Sequence, residues 1–175
     1  MSHPPMADAA QQAEFRKLMS LFATGVCVIA FDRANGDSDG SDIGGLSAMT
    51  INSLVSVSLD PLLLCWSLQN SASQYDEYLN AERFTFSILA DGQQALARRY
   101  AARGDSALSA SDFDKTATGM PVLKGALAAF ECRRWNSYPA GDHTMILGEV
   151  LAMSRQEGTV PALGFFEGRF CAVKS

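Results

Sequence analysis

Several common signatures are missing from this 175-residue chain. No G-x-G-x-x-G follows an apolar run and no G-x-x-x-x-G-K-[ST] occurs, so neither glycine-rich phosphate cradle is present. There is no G-x-S-x-G elbow to expose a nucleophilic serine. Histidine is scarce: His3 lies in a proline-containing start, which leaves His143 as the only one inside the fold. The four cysteines, Cys27, Cys65, Cys132 and Cys171, form no C-x-x-C pair and each sits among apolar residues. They read as free buried thiols in a reducing compartment, and the clustered Cys/His set that zinc needs is absent. No apolar run is long enough to span a bilayer, and MSHPPMADAA lacks the basic start and apolar stretch of a leader. The expectation is a soluble, cytoplasmic protein with no metal site.

Positive charge is also in deficit, with Lys+Arg 14 against Asp+Glu 19 and a net charge of −5. A general affinity for nucleic acid or acidic lipid needs the opposite balance. An anionic nucleotide remains open to the protein, through local donors rather than a global field. Hydrophobic residues at 47% and charged ones at 19% are ordinary for one globular domain with a proper core.

Residues 1–10 read as a flexible tail and 11–175 as one domain. Periodicity predicts a helix over about Ala9–Ser20, capped by Asp8, with Phe15, Leu18, Met19 and Phe22 at helical spacing. Val26 to Phe31 is a continuous apolar run, as in a strand buried on both faces. Residues 32–42 read as a loop and Gly45 to Met49 as a second strand. Val55, Val57 and Leu59 alternate with Ser56 and Ser58, the pattern of a half-buried strand ending at Asp60-Pro61. Strands follow over Leu62–Leu68 and Arg83–Leu89, with a short helix over about Ser73–Asn80 between them, capped by Ser71 or Ser73.

Asp91-Gly92-Gln93-Gln94 resembles a capping box opening a helix to about Ala102, and 103–120 reads as loop. Leu127–Tyr138 and His143–Ser154 read as paired strands joined through residues 139–142. Leu163 to Phe170 reads as a hairpin turning at Glu167-Gly168. About seven strands with few helices, mostly through short links, favour a barrel with appended helices over a doubly wound sheet.

Three segments hold polar groups suited to chemistry. Ser47-Ala48-Met49-Thr50-Ile51-Asn52-Ser53 packs hydroxyls and an amide between two apolar strands. Such a strand end offers several donors at once, which suits the pyrimidine edge of a flavin and the negative charge it gains on reduction. The same residues would serve equally as ordinary turn hydroxyls. Asn70-Ser71-Ala72-Ser73 stands before a helix, where hydroxyls hold a phosphate or simply cap. Gly141-Asp142-His143-Thr144 sets His143 at the mouth of a strand pair, with Asp142 beside it to fix the ring's tautomer. A surface turn histidine without a task would look the same. Hydride transfer needs two rings stacked and shielded rather than a strong acid or base, and this set suits it better than hydrolysis.

In order along the chain, several pieces resemble the flavin reductase family of two-component monooxygenases. These are Phe15-Arg16-Lys17-Leu18-Met19-Ser20, Phe22-Ala23-Thr24-Gly25-Val26, Thr50 through Pro61, Arg83-Phe84, Leu89-Ala90, Gln93, Gly119-Met120-Pro121-Val122-Leu123 and above all Gly141-Asp142-His143. The likeness covers about residues 12–173. It implies a mainly β fold, the FMN-binding split β-barrel, Greek-key-like with a few peripheral helices, working as a homodimer. It implies an NAD(P)H-dependent oxidoreductase that reduces FMN or FAD, with NADH or NADPH as hydride donor, and supplies reduced flavin to a separate monooxygenase component. It implies flavin contacts from Ser47, Ala48, Met49, Thr50, Asn52 and Ser53, phosphate contacts from Ser71 and Ser73, and His143 near the nicotinamide. The chain departs from the family pattern at Leu62, where a second proline is common, and at Ser87, where Asn often stands. Rival readings are a flavin carrier or sensor on the same barrel, and an oxidase of the pyridoxamine-phosphate type. The latter wants a basic phosphate pocket, which these neutral hydroxyls do not offer.

Overall fold

The apolar run at 26–31 becomes a strand with a core on each side. The computed structural model describes residues 7–33, 45–102 and 108–174. Its elements run α1 (Ala9–Met19), β1 (Thr24–Gly25), β2 (Cys27–Asp32), β3 (Leu46–Ile51), β4 (Val55–Leu59), β5 (Leu62–Gln69), α2 (Tyr75–Asn80) and β6 (Arg83–Ile88). They continue with a 3-10 turn into α3 (Gln94–Ala101), then β7 (Phe113–Lys115), β8 (Pro121–Leu123), β9 (Ala128–Ala140), β10 (His143–Arg155), β11 (Ala162–Phe166) and β12 (Arg169–Val173).

Seven strands form one antiparallel sheet in the order β3-β2-β6-β9-β10-β5-β4. Its two edge strands, β3 and β4, are consecutive in the chain and joined only by Asn52-Ser53-Leu54. Four Cα steps reach about 15 Å at most. A flat sheet would hold those edges roughly 29 Å apart, six strand spacings of about 4.8 Å. The sheet must therefore curl, and it becomes a barrel that stays unpaired between β3 and β4. That is the split barrel expected from the resemblance.

Side-chain alternation on β2 sends Cys27, Ile29 and Phe31 into the barrel with Trp66, Leu68, Phe84, Phe86 and Ile146. Val26, Val28 and Ala30 go outward into a second core with Ala48, Leu89, Ala97, Tyr100 and Leu163. Ile29 and Val28 are both fully buried, worth about 1.5–3 kcal/mol each. Inside the barrel a Cβ at Gly148 would meet the Phe84 ring at 2.9 Å, so only glycine fits where β10 crosses that side chain.

The Asp8 cap is present in full. Asp8 Oδ1 accepts from the Gln11 N–H at 2.9 Å, and Gln11 Oε1 accepts from the Asp8 N–H at 3.0 Å. The hairpin turns where expected, with Glu167 (φ 48°) and Gly168 (φ 73°) both left-handed, the geometry a two-residue turn requires. Ser87, where the family often has Asn, is buried, and its Oγ accepts from the Leu123 N–H of β8.

Other expectations are corrected. Among the described residues no core covers the apolar side of α1: Phe15, Leu18 and Met19, with Phe22 just past the helix, are 67%, 57%, 50% and 68% exposed. β4 is not half-buried, because Val55, Val57 and Leu59 of this edge strand lie open with no covering layer in the single chain. The second strand is Leu46–Ile51, two residues later than its expected end. Helix α2 begins at Tyr75 behind Gln74, and neither Ser71 nor Ser73 caps it. The stretch 103–120 is not loop throughout, since Phe113–Lys115 pairs with Pro121–Leu123. The alternation there is too short to register as a strand signal. Of the expected 32–42 loop, residues 34–42 lie outside the described residues, as does His3. Cys27, Cys65 and Cys132 are buried and free, whereas Cys171 is only partly covered.

One buried charge ties β7–β8 to the barrel. Glu131 on β9 accepts from the hydroxyls of Thr118 and Thr116 and pairs with Arg83. Burial pushes its carboxyl up, but the two threonines and the arginine outweigh burial and hold it below the usual range. A carboxyl depressed on folding adds stability above its unfolded pKa and loses it as pH falls through the folded value. Glu131→Gln therefore costs about 2 kcal/mol at pH 7, less than a fully buried pair because Arg83 is partly solvated. Urea unfolding midpoints of wild type and variant converge as pH falls below the ordinary carboxyl range and through the lowered folded value.

Candidate functional site

Two of the three polar segments meet directly at the C-terminal end of β5. Gln69, its last residue, pairs with His143, the first residue of β10. The next residue continues the contact: the Asn70 N–H donates to the Asp142 carbonyl at 2.9 Å, and Asn70 Nδ2 to the Gly141 carbonyl at 3.3 Å. The third segment arrives from the split side. Ser53 Oγ accepts from the Ser67 N–H at 3.2 Å and donates to the Ser67 carbonyl at 3.4 Å, so it extends the β4–β5 ladder beyond Val55. Ser67 and Gln69 are two residues apart, about 7 Å along the strand.

The run 47–50 divides between the strand's two faces. Ala48 belongs to the outer core, and Thr50 Oγ1 donates to the Ala97 carbonyl of α3 at 2.9 Å. Met49 packs on the barrel core. Ser47 lies on the same face as Met49, fully buried, and among the described residues its hydroxyl has no hydrogen-bond partner. Asn52 is exposed, its Nδ2 donating to Thr24 Oγ1 at 3.3 Å. Because β3 is an edge strand, alternate backbone N–H and C=O groups along it face no strand on their outer side.

The Gly141-Asp142 turn, with Gly141 at φ 66°, reverses the chain between β9 and β10. His143 Nδ1 lies 2.8 Å from Asp142 Oδ1, and the imidazole side chain is 40% exposed. The hydrogen bond and charge of His143 hold the Asp142 carboxyl below its ordinary range, and Arg16 of α1 adds to this. With the carboxylate accepting at Nδ1, Nε2 points away from the turn. Ser71 and Ser73 are exposed between β5 and α2. The first turn of α2 carries Asp76 and Glu77, so an anion there leans on hydroxyls and loop N–H groups rather than on the helix dipole. Cavities of about 670, 660 and 380 Å³ lie elsewhere, around Arg83, around Arg155 and around Glu131.

Comparison with known proteins agrees along almost the whole chain. The profile of the flavin reductase like domain matches residues 19–174. The chain belongs to that family. It is 39% identical over 144 residues to the FMN reductase (NADH) SmoA of Agrobacterium fabrum, 82% of this chain and 77% of that one. The crystal structure of BorF, the flavin reductase component of a bacterial two-component tryptophan halogenase, superposes with a TM-score of 0.81 at 34% identity. It covers 94% of this chain and 99% of BorF. The NADH:FAD oxidoreductase SgcE6 of Streptomyces globisporus C-1027, solved with NAD and FAD fragments, gives 0.80 at 30% identity over 96% of each chain.

The residues present fit the flavin this family handles. The free edge of β3 supplies the alternating donors and acceptors that a pyrimidine edge needs, and Ser47 is an unmet donor inside the same strand. Exposed hydroxyls at Ser71 and Ser73 suit a phosphate. Asn70 and Thr144 lie in segments the sequence singles out but carry no individual role there, while Tyr75 and Ser67 escape the sequence reading. Thr144 could have been found as the inward neighbour of His143, but nothing in the sequence marks Tyr75. Since the Thr50 hydroxyl is already engaged by Ala97, Thr50→Val lowers stability by about 1 kcal/mol. It leaves the flavin dissociation constant unchanged, as measured by fluorescence titration beside a thermal melt.

Proposed function

We propose that this protein is an NAD(P)H:flavin oxidoreductase that reduces FMN or FAD and delivers reduced flavin to a separate monooxygenase component. The observation that carries the reading is the meeting of the 52–53 corner, the 70–73 segment and the Gly141-Asp142-His143 turn at one end of β5. When both are bound, the nicotinamide passes a hydride from its C4 to N5 of the flavin.

The chain's own groups bind and orient. Backbone groups along Ser47–Thr50, with Asn52 and Ser53, hold the isoalloxazine; Ser71 and Ser73 hold the phosphate. His143 lies on the outward face of β10 and orients the nicotinamide, its ring fixed by Asp142. Its role is binding and alignment, which is all hydride transfer asks of a side chain here.

Anaerobic mixing of protein, FMN or FAD and NADH bleaches the flavin's visible band. A flavin that binds yet stays yellow makes the protein a carrier instead. His143→Ala slows the bleaching or raises the KM for NADH while flavin binding holds; unchanged turnover removes His143 from the mechanism. Ser71→Ala with Ser73→Ala raises the flavin Kd about tenfold if one charge-assisted bond of ~1.5 kcal/mol is lost.

The active form is a homodimer. Phe15, Leu18 and Met19 on α1, Phe22 just beyond it, and Val55, Val57 and Leu59 on β4 leave more apolar surface open than a single chain ordinarily tolerates. The protein elutes at twice its chain mass in light-scattering chromatography, and Phe22→Asp with Leu59→Asp shifts it to monomer. A wild-type monomer at micromolar concentration overturns the dimer. The protein works in the cytoplasm, where three buried free thiols stay reduced. Among the described residues no helix is long and apolar enough to cross a membrane.

A further inference from the structure

A chain of hydrogen bonds behind His143 has a direction. Tyr75 Oη and Thr144 Oγ1 are 2.7 Å apart, and Thr144 Oγ1 is 2.9 Å from Asn70 Oδ1. An amide oxygen only accepts, so the single Thr144 hydroxyl proton goes to Asn70. Tyr75 must then donate to Thr144. Asn70 passes its own Nδ2 protons to the Gly141 carbonyl at 3.3 Å, and its backbone N–H to Asp142 at 2.9 Å. Every bond in the run spans about 70 residues of sequence, and none belongs to a regular ladder. Thr144 is 5% exposed and next to His143 on β10, so the two side chains leave the strand on opposite faces.

We infer that Asn70 and Thr144 are positioning residues for the reaction: the Tyr75–Thr144–Asn70 run locks the Gly141-Asp142-His143 turn onto the 70–75 segment. The inference rests on the flavin reductase reading given above. Pulling Thr144 inward onto Asn70 leaves His143 one outward orientation, and the Asn70 bonds to Gly141 and Asp142 fix the turn from which the Asp142 carboxylate reaches the ring. Ser71 and Ser73 leave from the same segment. The flavin-phosphate hydroxyls and the nicotinamide-facing imidazole thus move as one body, and their spacing does not depend on loop motion.

The test is a double-mutant cycle on anaerobic, single-turnover reduction of FMN by NADH, each variant first checked by thermal melt and by FMN titration. Thr144→Val keeps the shape but removes the hydroxyl, and raises the KM for NADH about fivefold, the loss of one neutral hydrogen bond. Thr144→Ser restores the wild-type value, which a packing role for the threonine methyl would not allow. At saturating FMN, adding His143→Ala to Thr144→Val or to Asn70→Ala raises the KM for NADH no further than His143→Ala alone. Asn70→Ala also raises the FMN Kd, and His143→Ala does not. Fully multiplicative losses in the cycle, or a Thr144→Val enzyme with wild-type KM, overturn the positioning role while leaving the reductase reading intact. A silent His143→Ala also overturns the positioning role, whereas only a bound flavin that NADH never bleaches overturns the reductase reading.

Discussion

The short link between the two edges of the main sheet is the constraint from which the rest follows. Asn52-Ser53-Leu54 ties β3 to β4 across a sheet seven strands wide, and no flat arrangement satisfies that tether. Curling brings the edges together at one corner and leaves them unpaired along their length. The corner and the open seam are where the chain keeps spare polar groups: backbone N–H and C=O on β3 and the Asn52 amide oxygen, beside the Ser53 hydroxyl that extends the β4–β5 ladder. A closed barrel would have consumed these groups in strand pairing. A flat sheet would have set them far from His143.

Hydrogen bonding divides the polar residues into those already committed and those still available. Thr50 is tied to α3, Ser53 to β5 and Ser87 to β8, so their side chains serve the fold. Ser71 and Ser73 stand in the open between β5 and α2. Glu131 illustrates the cost of commitment: burying a carboxylate is tolerated only because Thr116, Thr118 and Arg83 all turn toward it. The site itself contains no comparable buried charge. Hydride chemistry needs alignment and exclusion of water more than it needs a perturbed acid, and the distribution of charge in this chain is consistent with that.

Apolar surface tells a complementary story. The barrel interior and the outer core under α3 are filled, with Ile29, Val28 and Phe86 at zero exposure. The apolar faces of α1 and β4 carry the same residue types, yet among the described residues nothing covers them. Amphipathic patterning records that a face is to be buried; it carries no information on which surface buries it. The homodimer proposed above would cover both faces at once.

Much of the fold was legible from sequence. The double-faced burial of β2 follows from an unbroken apolar run, α1 from its apolar spacing and the Asp8 cap, and the last hairpin from Glu167-Gly168. The Gly141-Asp142 reversal and the exposure of His143 at its end were also local in origin. These are effects within a few residues of chain, where propensity and sterics decide. Tertiary structure alone decided which hydroxyls are spent, that Ser71 and Ser73 do not cap α2, that the β7–β8 hairpin exists, and that Asn70, Tyr75 and Thr144 stand behind His143. For the β7–β8 hairpin the strands are too short to show alternation; for the long-range hydrogen bonds, a partner 36, 69 or 74 residues away leaves no periodic trace in the sequence, because nothing but the folded path of the sheet brings it near.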